Sequence, residues 1–335
     1  MTFIATLQKK NKSVYIGLIA ILATMLFLGY FPALDAFSSL LTPPVALLTG
    51  LIFALLFGQA YPTFNKKTSK YLLQYSVVGL GFGMNIEQSL ASGSAGMAFT
   101  IVSVVGTMLL GMLIGYKILK IDRDTSYLVS AGTAICGGSA IAAVGPVLKA
   151  NDAAMSVSLG TVFILNAIAL FIFPTIGRWL YMTDVQFGTW AAIAIHDTSS
   201  VVGAGQAFSD AALEIATTVK LTRALWIIPL ALVTSFAFKG SGKKIAIPVF
   251  IFFFILAIVF NTYVLSNPAI WGSWGVATGG FISGVAKKCL TLTLFFIGAS
   301  LSRDVIRQVG IKPLMQGVLL WILISVGSLA YIMLS

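Results

Sequence analysis

The sequence predicts an all-α polytopic membrane protein with about eleven transmembrane helices, inverted-topology repeats and helices broken near the bilayer midplane. Three observations carry that expectation. Of 335 residues, 58% are hydrophobic and 9% charged, whereas charged residues make up roughly 25% of soluble domains. The apolar residues gather into eleven runs of near-membrane length. Two of those runs are crowded with glycine, serine, threonine and ionisable residues where leucine and phenylalanine would ordinarily stand.

Composition excludes several functional classes. Disorder needs low hydrophobicity and high charge, the reverse of this chain. The net charge of +11 comes from 21 basic and 10 acidic residues. In so apolar a chain a basic excess marks cytoplasmic loops, so no nucleic-acid partner is expected. Cys136 and Cys289 make no disulfide framework, and one histidine leaves little room for a histidine-based metal site. No Walker loop, dinucleotide fingerprint or zincin motif is present. Neither a cofactor nor a metal is expected.

A hydrocarbon core takes about 20 apolar residues per helix. The runs are 13–31, 43–60, 70–88, 97–117, 125–149, 153–174, 187–207, 209–237, 245–264, 283–301 and 313–334. The first follows Lys9, Lys10 and Lys12 and so resembles a signal peptide, but its length fits a retained helix equally well. Strand alternation is absent, which argues against a barrel. The connectors are too short for a soluble domain. The chain therefore reads as one transmembrane domain, 1–335, with approximate halves 1–150 and 187–335. With the N-terminus inside, sixteen of the 21 basic residues fall in inside loops, and only Lys149, Lys287 and Lys288 fall outside. The C-terminus is then outside. Tyr30, Tyr61, Trp179 and Trp190 fit interfacial aromatic belts.

Two internal similarities stand out. Residues 70–90 (KYLLQYSVVGLGFGMNIEQSL) and 287–307 (KKCLTLTLFFIGASLSRDVIR) both start basic, run apolar, reach a glycine and turn polar. Spans three and ten have opposite orientations in this topology, as an inverted repeat requires. Residues 134–147 (AICGGSAIAAVGPV) and 194–207 (AIHDTSSVVGAGQA) are more alike. Both begin Ala-Ile, place Ser139 and Ser199 five residues on, and place Gly145 and Gly205 eleven residues on.

Glycine and proline weaken a helix by roughly 1 and 3 kcal/mol each. In a bilayer the backbone groups so freed must find protein, water or ligand. Broken helices expose N–H groups and positive N-termini that suit anions. Gly137, Gly138, Ser139, Thr198, Ser199 and Ser200 are accordingly candidate substrate contacts. Close helix packing through small residues is the alternative. His196 and Asp197 lie about ten residues into their span, where an ionisable group is costly and lines a cavity or finds a partner. His196 is a candidate for substrate or proton binding, with an ordinary pKa of about 6.5. Asp197 is a candidate coupling-ion or proton site. Lys220 and Arg223 share one helix face at i,i+3 within a span. Arginine suits bidentate binding of a carboxylate, sulfonate or sulfate, and lysine gives a point charge. An internal salt bridge, with Asp197 or Glu214, is their alternative role. Cys136, Asn166 and Asn85 are possible cavity-lining residues.

The stretches TAICGGSAIAAVGPVLKA and IHDTSSVVGAGQAFSDAALEIATTVKLTRALWIIPL, with Ala134 to Pro229 as the specific part, resemble the YeiH-like family of bacterial inner-membrane proteins, also described as sulfate exporters. The paired GLGF and IGAS helices near the two ends match in order, so the resemblance covers nearly the whole chain. Family members carry Glu or Asp after the histidine, then apolar or amide residues. Here Asp197 keeps the acid, while Thr198 and Ser199 depart. The resemblance implies a secondary transporter of inverted repeats in the inner membrane, N-terminus cytoplasmic and C-terminus periplasmic, with sulfate or a sulfonate as cargo. Its expected partners are a small inorganic or organic anion, Na⁺ or H⁺, and the lipid bilayer, and a homodimer is left open. Two other classes are weighed: a monovalent cation/proton antiporter using Asp197, which must explain Lys220 and Arg223 as structural counter-charges, and an intramembrane hydrolase using Ser139 and His196. The expectation is a carrier, not an enzyme.

Overall fold

The structure, a computed structural model, describes residues 11–28, 40–87, 89–90, 97–238, 249–301 and 303–334. The ends of three expected spans (29–31, 88 and 245–248), with Lys9, Lys10, Tyr30, Lys239, Lys243 and Lys244, lie outside the described residues. All regular structure among the described residues is helical. In chain order the helices are α1 (Asn11–Leu28), α2 (Pro43–Phe57), α3 (Pro62–Gly81), α4 (Met97–Met112), α5 (Arg123–Ala134), α6 (Gly138–Leu148), α7 (Asp152–Trp179) and α8 (Asp184–Ala194). They continue as α9 (Thr198–Phe208), α10 (Asp210–Ala224), α11 (Ile227–Ala237), α12 (Phe250–Phe260), α13 (Pro268–Gly298), α14 (Arg303–Val309) and α15 (Ile311–Leu334). Wider π turns extend α4 over Leu113–Ile118 and α12 over Asn261–Leu265.

Six helical stretches are long and apolar enough to cross a membrane: Asn11–Leu28, Thr100–Ile118, Asp152–Trp179, Asp210–Ala237, Trp274–Gly298 and Ile311–Leu334. The other five expected spans are helical but shorter, more charged or interrupted. Pro43–Phe57 has 15 residues. Pro62–Gly81 carries Lys66, Lys67 and Lys70. The spans 125–149 and 187–207 are each split in two. The tenth span begins earlier than expected: Pro268 opens a helix that absorbs the Gly-rich residues 268–282. Proline suits a first helical position, because its missing N–H has no partner there anyway.

The chain divides into two compact units, Met1–Ile86 with Phe250–Asp304, and Glu87–Val249 with Val305–Ser335. This division cuts across the halves 1–150 and 187–335. In the first unit α13 packs along both α2 and α3. The contacts are backbone to backbone. A Cβ on Gly50 would meet the Phe295 carbonyl oxygen at 2.2 Å, and one on Gly298 would meet that of Leu47 at 2.2 Å. Such approach is how small residues hold membrane helices together. The similar stretches 70–90 and 287–307 lie largely on this packed pair α3 and α13, where Phe64 meets Phe296 and Gly79 meets Ala286. Rising numbers on one helix match falling numbers on the other, so the two run antiparallel. Tyr15 is buried among Phe53, Tyr61 and Phe295, and its hydroxyl donates to Asn65 Oδ1.

The second unit holds the broken helices. α10 packs on both α8 and α9, and α7 packs on α5, α6 and α9. Glycines set the spacing: Gly188 of α8 faces Ile215, and Gly205 of α9 faces the Leu213 backbone at 2.8 Å from its Cβ position. Gln316 of α15 ties α4 to α5, its amide nitrogen donating to Gly111 O at 3.0 Å, Ser126 O at 3.0 Å and Ser130 Oγ at 3.1 Å. Trp190 is no belt residue. It is buried, donates to Ser325 O at 2.9 Å and packs its ring tilted against Phe173, because α8 turns that face towards α7 and α15.

Candidate functional site

The two similar small-residue stretches both break, and they break in register. α5 ends at Ala134 and α8 at Ala194; α6 begins at Gly138 and α9 at Thr198. Both second halves have 11 residues, and their paired ends are all offset by 60 in the sequence. The interruptions, residues 135–137 and 195–197, adopt non-helical backbone. Gly137 has φ +65° and ψ −125°, a region nearly closed to residues with a side chain. The two interruptions touch: a Cβ on Gly137 would lie 3.2 Å from both Cα and Cβ of Asp197. The N-termini of α6 and α9 therefore converge.

A break frees backbone groups on both sides, and buried ones need partners. At 195–197 side chains answer them. Asn166 Oδ1, from α7, accepts from the backbone N–H of His196 at 3.1 Å and of Asp197 at 3.3 Å. Asp197 caps α9, accepting the N–H of Ser199 at 3.0 Å and the Ser199 hydroxyl. Lys220 Nζ donates to the carbonyls of Ala192 at 3.1 Å and Ile195 at 2.7 Å, closing the C-terminal end of α8. At 135–137 the pattern recurs with a different cation. Arg223 donates through Nε to Ala134 O at 2.8 Å and through Nη2 to the same oxygen, closing α5. Its Nη1 donates to Ser103 Oγ at 3.1 Å.

The i,i+3 pair on α10 thus serves one broken helix each. A helix C-terminus carries about half a negative charge, so a cation there is stabilising. Both side chains are 0% exposed, so neither snorkels to an interface. Asp197, in turn, sets a carboxylate at a helix N-terminus, where negative charge is favoured. His196 is 0% exposed, and neither ring nitrogen has a hydrogen-bond partner. Asn166 Nδ2, Thr133 Oγ1 and Thr218 Oγ1 are also buried without partners.

Gly137, His196, Asp197, Thr198, Ser199, Ser200, Lys220 and Arg223 are brought together in the buried part of this unit, with Cys136 and Asn166 beside them. The Cys136 thiol is fully buried and lies within electrostatic reach of Lys220, Arg223 and Asp197. Gly138 is partly exposed and Ser139 exposed, at the open side of the α6 N-terminus. No hydrogen bond joins Ser139 to the His196 ring. Asn85 is exposed and belongs to the first unit. Sequence reasoning missed Ser103, a serine in an ordinary apolar span with no local signal of its role. It also gave Asn166 no specific partner.

The family described as conserved hypothetical protein 698 matches residues 13–317. The UPF0324 membrane protein of Bacteroides thetaiotaomicron is 66% identical over 328 residues, covering 98% of this chain and 97% of that one. The one of Porphyromonas gingivalis is 60% identical over 325 residues, 97% of each chain. That of Photobacterium profundum is 47% identical over 309 residues, 92% of each. No solved structure matches the chain. Relatives described as membrane proteins and several helices apolar enough to cross make this a multi-pass membrane protein. The chain belongs to the conserved hypothetical protein 698 family, the UPF0324 membrane proteins, which is the YeiH-like family under another name.

Proposed function

We propose that the protein is a secondary transporter of a small anion, with its cargo bound where the two broken helices meet. One observation carries this reading: α6 and α9 bring their N-termini together at Gly137 and Asp197. Converging helix N-termini present N–H groups and partial positive charge to one point. Two basic side chains, Lys220 and Arg223, are buried in this unit, and Asp197 is the one buried acid among the described residues. The balance favours an anion. Sulfate or a sulfonate is the cargo suggested by the family resemblance. Eleven spans, an inverted repeat relating 70–90 to 287–307, an N-terminus inside and a bacterial inner membrane complete the proposal. The protein is a carrier in this reading, not an enzyme.

The test is uptake of labelled sulfate into liposomes holding the purified protein and preloaded with sulfate or methanesulfonate. Exchange above that of protein-free liposomes supports the reading. No exchange of any anion in a panel of sulfate, sulfonates and carboxylates refutes it.

A second reading has an observation of its own. Lys220 and Arg223 are bonded to the carbonyls that end α8 and α5, which accounts for both cations without a cargo. Asp197 would then be the exchanging group of a monovalent cation/proton antiporter. Proton movement driven by a Na⁺ or K⁺ gradient, with sulfate and other candidate anions absent, would favour it.

A further inference from the structure

The two breaks match in register but not in how their ends are answered. Both C-terminal ends are closed by a cation from α10. The N-terminus of α9 is closed by Asp197. The fourth end, the N-terminus of α6, has no capping side chain, because the residue equivalent to Asp197 is Gly137. The Cys136 thiol lies near the Ala140 N–H, but sulfur is a weak acceptor. Among the described residues no hydrogen bond is found for the N–H groups of Gly138 and Ser139. A buried aspartate at N-cap on one helix and a bare glycine on its twin is an imbalance the protein alone leaves open.

A second observation points to the same place. Asn166 is 3% exposed, and its Oδ1 is fixed on the backbone of residues 196 and 197. Its Nδ2 has no partner. Asn166 stands one turn beyond Val162 on the same face of α7. Val162 Cγ1 lies 3.1 Å from the Gly137 Cβ position, and Phe163 of the adjoining turn lies 3.3 Å from that of Gly138. The amide is therefore held at the junction between the α6 N-terminus and the α9 break, with two N–H donors to spare. Both His196 ring nitrogens, next in sequence to Asp197, are likewise unpartnered.

We infer that the cargo is a small oxyanion that serves as the missing cap of α6, accepting from the Gly138 and Ser139 N–H groups with Asn166 Nδ2 as a side-chain donor. Lys220 and Arg223 act on it through the helix ends they hold, as positioning residues. The inference rests on the anion-transport reading and narrows it. A tetrahedral oxyanion has oxygens for the backbone donors and for the amide at once. A halide, a single sphere, serves fewer donors in the same place.

Ser139 gives a test that spares the fold, because its side chain is exposed. Ser139→Asp places a carboxylate in the first turn of α6, where it offsets the positive helix end itself and repels an arriving anion. Ser139→Asn has nearly the same shape and no charge. Sulfate binding to the purified full chain is read by titration calorimetry and by thermal stabilisation, which a ligand of the folded state must produce. The expected result is sulfate affinity at least about tenfold weaker in Ser139→Asp than in Ser139→Asn, a difference of about 1.4 kcal/mol. Equal affinity in the two variants, with sulfate bound by the wild type, overturns the α6 seat and leaves anion transport standing. A wild type that binds none of sulfate, the sulfonates or the carboxylates of the transport panel overturns the anion reading itself, and the seat with it. Ser139→Cys supplies a second measurement independent of the charge variants. Sulfate should slow modification of the new thiol by a methanethiosulfonate reagent severalfold, and an unchanged rate at saturating sulfate rejects the seat.

Discussion

Replacing Arg223 with methionine tests whether the buried cations hold helix ends or hold cargo. Methionine has similar length, fills apolar space and donates nothing. Arg223 is fully buried and places Nε and Nη2 on Ala134 O and Nη1 on Ser103 Oγ. Hydrogen bonds from a charged group contribute about 1.5–3 kcal/mol each. The two on Ala134 share one acceptor and count as little more than one, and a carbonyl left buried without a donor adds about 1–3 kcal/mol. Methionine also removes a buried charge, which returns several kcal/mol of desolvation. The net expectation is a loss of about 2–4 kcal/mol, near the size seen when one partner of a buried charge contact is removed. Arg223→Lys keeps the charge without the planar fork and should lose about half as much. Lys220→Met should behave like Arg223→Met, since Nζ holds the Ala192 and Ile195 carbonyls in the same manner. The assay is unfolding in mixed detergent micelles by graded dodecyl sulfate, followed by tryptophan fluorescence. If Arg223→Met unfolds at the wild-type midpoint and loses sulfate affinity, the guanidinium holds cargo and the helix-end argument is wrong.

Further tests address other parts of the fold. Gly50→Val and Gly298→Val should destabilise the first unit by more than the usual overpacking cost of about 1–3 kcal/mol, because their Cβ positions meet backbone that cannot rotate away; Gly280→Ala, with nothing within 4 Å of its Cβ position, should behave as wild type in the same unfolding assay. Gln316→Leu removes three contacts between α15, α4 and α5 and should cost about 2–3 kcal/mol; an unchanged midpoint would show that those carbonyls find other donors. Cys289, half-buried, should react with a small maleimide in detergent well before the fully buried Cys136; the reverse order would mean that the break at 135–137 opens to water.

Helical class, membrane setting and the location of the two breaks are all local properties, and they were legible in the residues. Hydropathy states where a chain leaves water, and small and ionisable residues inside an apolar run state where its helix is weakened, although Gly145, Pro146 and Pro174 stay within α6 and α7. The repeated Ala-Ile and Ser spacing even placed the breaks in register, since α5 and α8 end at the matching alanines. Partnership was not legible. Lys220 and Arg223 announced themselves as costly buried charges, but a sequence names no acceptor for a lysine. Only packing could bring α10 against the spent ends of α8 and, through Arg223, of α5, so that a pair with the chemistry of an anion clamp is engaged with carbonyls. Asn166 and Ser103 became parts of the site for the same reason, since their partners lie 30 and 120 residues away along the chain. The division into units was likewise hidden: close glycine contacts join α2 and α3 to α13 across more than 200 positions. Local chemistry fixes where this chain bends and what it must satisfy, and tertiary packing decides which group satisfies it, because a buried donor takes whichever acceptor the fold brings within about 3 Å.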